Sequence, residues 1–195
     1  MGVINIRPIG NSGCVVIPPS LTCVPALPIF ERLFLGGEYS VRGFDIRSIG
    51  PTVPGSPIVL GGNKSLLFNG EYMFSIASQV RIVGFFDAGQ VRNFGEHFVW
   101  KEDLVRTIPI YPPLLDPFAT SGLIDPNAPT SRTELLGETY AFKTSTGVEL
   151  RFFMPVLNVP FRLIYSYNPS RAGVLDNNLQ PAKKTTFRFA VGTTF

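Results

Sequence analysis

The chain has 195 residues, a hydrophobic fraction of 45% and an unusual load of 17 Phe, 19 Gly and 18 Pro. That mixture argues against a helical protein, and no run reaches the roughly 18 to 20 uninterrupted apolar residues of a transmembrane helix, so membrane residence would fall to β-strands. The formal charge of +3 and the sequence pI near 9.0 come from scattered Lys and Arg, not from a basic stripe, which argues against nucleic acid as a partner.

The first residues, Met1 to Pro8, lack the basic start, apolar core and small-residue cleavage site of a secretory signal. The chain is then either cytosolic or the C-terminal piece of a longer, exported polypeptide. Cys14 and Cys23 flank a Pro-rich stretch and have neither a second cysteine pair nor neighbouring histidines, so no zinc site is expected. A small loop disulfide and a pair of free thiols both fit. Next comes Leu35 to Pro51, a loop dense in turn-forming residues with Val41-Arg42-Gly43-Phe44 at its centre.

Five strands are then predicted from apolar residues of a single parity. Residues 65–76 set Leu66, Phe68, Tyr72, Phe74 and Ile76 against Ser65, Asn69, Glu71 and Ser75, with Leu67 and Met73 as exceptions. Residues 80–90 alternate poorly and are assigned partly on context. Residues 147–154 set Val148, Leu150, Phe152 and Met154 against Gly147, Glu149 and Arg151, and residues 160–167 set Phe161, Leu163, Tyr165 and Tyr167 against Arg162 and Ser166. The last, 186–195, sets Phe187, Phe189, Val191 and Phe195 against Arg188, Ala190 and Gly192.

Each segment is close to the roughly 9 to 11 residues that a tilted strand needs to cross a bilayer. Short links (77–79 and 155–159) alternate with long ones (92–141 and 168–184), as tight periplasmic turns alternate with extended outer loops in membrane barrels. A soluble β-sandwich shares the strand pattern. The aromatic weight of the apolar faces favours the barrel, whose lumen accounts for recurrent Arg, Glu, Asn and Asp on the other face.

Register adds geometry. If 65–76 and 80–90 form a hairpin in which Ile76 faces Val80, then Glu71 faces Phe85 and Asn69 faces Asp87. Glu71 and Asp87 become diagonal neighbours on one face, roughly 7 to 8 Å apart, a separation that one guanidinium with five donors can bridge. A pair of carboxylates also fits a general acid and base, but His97, the only histidine, lies in a long loop beside Trp100 and no Gly-x-Ser-x-Gly nucleophile occurs.

Four features, in order, resemble the C-terminal end of the BamA-type outer-membrane assembly barrels, the bacterial surface antigen family. They are Gly36-Gly37 followed by Val41-Arg42-Gly43-Phe44 and Ile49-Gly50-Pro51; Gly61-Gly62-Asn63 entering the strand with Glu71; Phe85-Phe86-Asp87-Ala88-Gly89; and the terminal Phe195. The resemblance spans Leu27 to Phe195. It implies an all-β, antiparallel transmembrane barrel of about sixteen strands, of which this chain supplies about five, with residues 3–9 ending the strand before the loop. Residues 1–62 then hold that strand end and the lid loop, and residues 63–195 the C-terminal barrel strands.

The resemblance assigns Arg42, beside the permissive Gly43 and followed by Phe44, the role of pinning the lid inside the lumen against Glu71 and Asp87. It also makes Phe187, Phe189, Gly192 and Phe195 both a lipid-facing strand and a recognition signal for barrel insertion. The implied function is non-enzymatic assembly and insertion of outer-membrane proteins, with no cofactor and no metal. The implied partners are the outer-membrane lipid bilayer, unfolded outer-membrane protein clients and accessory assembly lipoproteins. A polypeptide translocation pore of the same superfamily is the nearest alternative, and a soluble β-sandwich binding module the more distant one. On this reading the periplasmic POTRA repeats and the earlier strands lie outside the chain.

Overall fold

A computed structural model describes residues 2–6, 14–16, 23–25, 27–52, 58–93, 95–109, 131–154 and 159–191. In chain order the strands are β1 (Gly2–Asn5), β2 (Cys14–Val16) and β3 (Cys23–Pro25), then, after a 3₁₀ turn at Ile29–Glu31 and the lid loop, β4 (Lys64–Ala77) and β5 (Val80–Arg92). They continue as β6 (Lys101–Pro109), β7 (Ser131–Tyr140), β8 (Lys143–Met154), β9 (Val159–Ser170) and β10 (Thr185–Val191). Among the described residues there is no α-helix, and every strand pair is antiparallel.

One six-stranded sheet, ordered β1-β4-β5-β8-β9-β10, forms a section of barrel wall, with β2-β3 and β6-β7 as separate hairpins. The wall is open, with β1 and β10 at its edges. β1 pairs with the start of β4 through Gly2↔Leu67 to Asn5↔Lys64, so residues 2–5 are the strand before the lid. Residues 7–9 lie outside the described residues.

The β4–β5 register runs from Lys64↔Arg92 to Ser75↔Arg81 and sets Glu71 against Phe85 and Asn69 against Asp87. At the turn the structure departs from the sequence expectation: a bulge after Ser75 makes Ala77, not Ile76, the partner of Val80. Strand β5, poorly alternating in sequence, buries Val83, Phe85, Asp87 and Val91 on one face while Phe86 stays exposed on the other. Beside it, β9 buries Arg162, Ile164, Ser166 and Asn168 and exposes Tyr165 and Tyr167.

Polar residues inside and aromatic residues outside invert the pattern of a water-soluble sheet. The outer face carries Tyr72, Phe74, Tyr165, Phe187 and Phe189, all more than half exposed. Phe152 stacks on its cross-strand partner Phe161, and Phe161 stacks on Phe189, with ring centroids 5.2 and 5.6 Å apart. An exposed aromatic face of this kind suits hydrocarbon as its solvent.

On the inner face lies the lid. Its Leu35, Val41, Phe44 and Ile49 pack with Val91, Val174 and Ala182 into the hydrophobic core. The lid folds back on itself through Leu35↔Ile49 and reaches the approach to β4 through Leu33↔Gly62.

The long link between β5 and β8, read as loop from sequence, contains the β6–β7 hairpin. Its described side chains alternate little, Glu134, Leu135, Leu136 and Gly137 all being exposed in succession. With no buried face, period-two patterning has no cause. Arg92 and Lys143 tie this hairpin to the wall through Glu102, at 2.9 and 2.6 Å. The link 155–158, and residues 192–195 with Gly192 and Phe195, lie outside the described residues. So do the side chains of Cys14 and Cys23, whose backbones pair with Pro25 and Val16.

Candidate functional site

Arg42 enters the inner face of the wall from a tight lid turn. The turn needs Gly43, whose φ of 98° favours glycine. A Cβ there would lie 2.3 Å from Asn168 Oδ1, 2.6 Å from Ser166 Oγ and 2.8 Å from Ser145 Oγ, so the wall also leaves no room for a side chain. The Gly43 carbonyl accepts hydrogen bonds from Asn168 Nδ2 at 3.0 Å and Thr186 Oγ1 at 3.2 Å. Phe44, 1% exposed, anchors the turn in the core.

The Arg42 side chain is 3% exposed, and its nitrogens are occupied by carboxylates. Nε and Nη2 form a fork onto Asp87, at 2.8 Å to Oδ2 and 2.9 Å to Oδ1, and the Arg42 backbone N–H adds a bond to Oδ2 at 3.0 Å. Nη1 donates to Glu149 Oε2 at 2.9 Å and pairs with Glu71 Oε1 at 2.7 Å. One face of the guanidinium lies on the Phe85 ring, 4.1 Å from its centroid. Burial alone would lower the pKa of Arg42, but Asp87, and after it Glu71 and Glu149, outweigh that and raise it.

The sequence register supplied Glu71 and Asp87; Glu149 is the acid it did not supply. Glu149 is fully buried and also binds Arg151 Nε at 2.7 Å and Arg162 Nε, while Arg151 Nη2 reaches Glu71 at 3.2 Å. Three arginines (42, 151, 162) thus meet three acids (71, 87, 149) and the cluster is neutral as a whole. Asn69 completes it, donating to Asp87 Oδ1 at 2.8 Å and to the Ser40 carbonyl at 2.7 Å.

Gly147 faces Phe85 across β5 and β8, and a Cβ on it would come within 2.0 Å of the Tyr165 carbonyl and 2.9 Å of the Phe85 ring. Its missing side chain makes room for the ring on which Arg42 rests. The parity of 147–154 already set Glu149 and Arg151 on the polar face. What it lacked was the β5–β8 pairing, which crosses the long link and has no short turn to set its register.

Phe187 and Phe189 project outward from β10, at 67% and 56% exposure. His97 is exposed, and Trp100 packs on Phe142 with centroids 5.0 Å apart, away from the arginine cluster. Among the described residues no group of His, Cys, Asp and Glu is arranged to hold a metal ion.

An antiparallel wall with an aromatic outer face and a charged inner face defines an outer-membrane β-barrel protein. A family model described as the Omp85 superfamily domain matches residues 17–195, and the chain belongs to that superfamily. Its place is the bacterial outer membrane. The chain is 32% identical over 84 residues to the outer membrane protein assembly factor BamA of Nitratidesulfovibrio vulgaris (strain Hildenborough), covering 42% of this chain and 11% of that protein. It is 38% identical over 73 residues to BamA of Neisseria meningitidis serogroup B (strain MC58), covering 33% of this chain and 9% of that protein. These matches span about a tenth of each relative's length. Among solved structures, BamA from Haemophilus ducreyi lacking POTRA domains 1-3 is similar at a TM-score of 0.47 and 20% identity, over 88% of this chain and 29% of that one.

Proposed function

We propose that the chain is the C-terminal part of the barrel of an outer-membrane protein assembly and insertion factor, with Arg42 pinning the lid inside the lumen. The observation that carries this reading is the convergence of Glu71, Asp87 and Glu149 on Arg42. Both curated relatives are named as assembly factors, which favours assembly over polypeptide translocation. The part played is mechanical. All three carboxylates are held by guanidinium groups, an arrangement that suits a fixed lid better than a general acid or base.

In this reading the outer aromatic face meets the lipid bilayer, and unfolded outer-membrane proteins are the clients. Accessory assembly lipoproteins are further partners in this reading. Phe187, Phe189, Gly192 and Phe195 serve as the signal read when the barrel itself is inserted.

The test is Arg42→Ala in the intact polypeptide, made in cells that depend on it. Insertion of outer-membrane proteins should fall, and trypsin should cut faster after the exposed Arg47. Arg42→Lys should rescue poorly, because an ammonium cannot reproduce the two-pronged contact with Asp87. A lid that stays protected from trypsin in Arg42→Ala would refute the pin.

A further inference from the structure

The lid has a second attachment, one residue beyond the tetrapeptide. Asp45 Oδ1 pairs with the Arg188 guanidinium on the inner face of β10, and Asp45 Oδ2 accepts the backbone N–H of Asn177, in the β9–β10 loop, at 2.9 Å. Next to it, the Gly43 carbonyl takes the Thr186 hydroxyl, also from β10. Residues 42–45 therefore touch five of the six strands of the wall: β4, β5 and β8 through Arg42, and β9 and β10 through Gly43 and Asp45.

β10 is where this attachment has consequences. It is an edge strand, with β9 as its one neighbour among the described residues. Phe187, Phe189 and Val191 are exposed on the outer face, where Phe189 stacks on Phe161. Its inner polar side chains, Thr186 and Arg188, both end on lid atoms. The lid cannot lift without breaking these contacts, and β10 cannot leave β9 without dragging on the lid.

The two attachments differ in strength. Arg42, Asp87 and Glu149 are at most 3% exposed, whereas Asp45 and Arg188 are 28% and 26% exposed. A half-open ion pair is screened by water and salt, while a desolvated one is not.

We propose that Asp45 and Arg188 form a salt-sensitive latch that couples lid release to detachment of the edge strand β10, and that this end of the lid yields before the Arg42 end. The latch rests on the reading of the chain as a barrel wall with a seated lid.

The test is hydrogen–deuterium exchange on the intact polypeptide in lipid bilayers, followed in the lid (36–49) and in β10 (185–191). Asp45→Asn removes the charge but keeps an acceptor for Asn177, and Arg188→Gln removes the partner. Each should speed exchange in both segments by about two- to tenfold, with the double variant no faster than either single one. Salt at 1 M, where screening acts over about 3 Å, should speed both segments in the unmodified protein and have little further effect in Asp45→Asn. Glu138→Gln, which removes the exposed Lys101–Glu138 pair on the β6–β7 hairpin, should change neither.

Unchanged β10 exchange in both single variants, multiplicative effects in the double variant, or salt-insensitive exchange in the unmodified protein would each overturn the latch. Assembly activity is a separate readout. An Arg42→Ala assembly defect without coupled exchange sinks the latch alone, and coupled exchange with normal assembly in Arg42→Ala sinks the functional reading alone.

Discussion

At the scale of single residues, burial decides which charges matter. Glu149 is fully buried against Arg42, Arg151 and Arg162, whereas Glu71 is 35% exposed. Glu149→Gln would leave three guanidinium groups crowded around a neutral amide, at a cost of about 3–5 kcal/mol. Glu71→Gln should cost less than about 1 kcal/mol, because water reaches that carboxylate. Urea midpoints of the intact barrel in lipid vesicles would measure both, and equal effects would contradict this ranking. Asp45 follows the same rule in milder form: burial works to raise its pKa, but the Asn177 N–H and then Arg188 outweigh burial and keep it below the ordinary carboxylate value. Glu71 and Asp87 were legible as neighbours because a short turn fixes the β4–β5 register. Glu149, Arg151 and Arg162 had the right parity but no readable partners.

At the scale of strands, the wall is held by its ladders and its two faces answer to different solvents. Phe161 lies on the outer face between Phe152 and Phe189. Phe161→Arg should cost about 2–4 kcal/mol if its depth is near the bilayer midplane, and less nearer the interface. The loss of folded fraction in vesicle refolding would measure it, and a neutral result would argue against lipid on this face. Four of the five predicted strands were legible from alternation, because a sheet with one charged and one apolar face must alternate; β5 alternates poorly, since Val83, Phe85 and Val91 share its buried face with Asp87, and was placed partly by context. The β6–β7 hairpin was not. Its described side chains lack a buried face, so nothing in the sequence marks the period, and only pairing of Lys101–Pro109 with Ser131–Tyr140 reveals it.

At the scale of the whole molecule, the wall has two free edges among the described residues, β1 and β10. In hydrocarbon, unpaired backbone N–H and C=O groups cost several kcal/mol each. Residues 1–195 refolded alone should therefore self-associate, and addition of a polypeptide carrying the strands that pair with β1 and β10 should suppress it. Size-exclusion chromatography in detergent would follow both steps. A stable monomer of residues 1–195 would mean that the edges are satisfied within the chain.

The sequence by itself determined the class of structure: strands of bilayer length, the apolar face of every predicted strand but β5, the tight β4–β5 hairpin and the arginine beside a permissive glycine. These are local properties, set by side-chain period and turn chemistry. Tertiary structure alone decided that β5 pairs with β8 across a long link, that Gly147 leaves space for Phe85 beneath Arg42, that Glu149 joins the cluster, and that Asp45 finds Arg188. The contacts of Gly147 with Phe85, Glu149 with Arg42 and Asp45 with Arg188 each join residues more than fifty positions apart, where local sequence gives no preference and only the packed wall selects a partner.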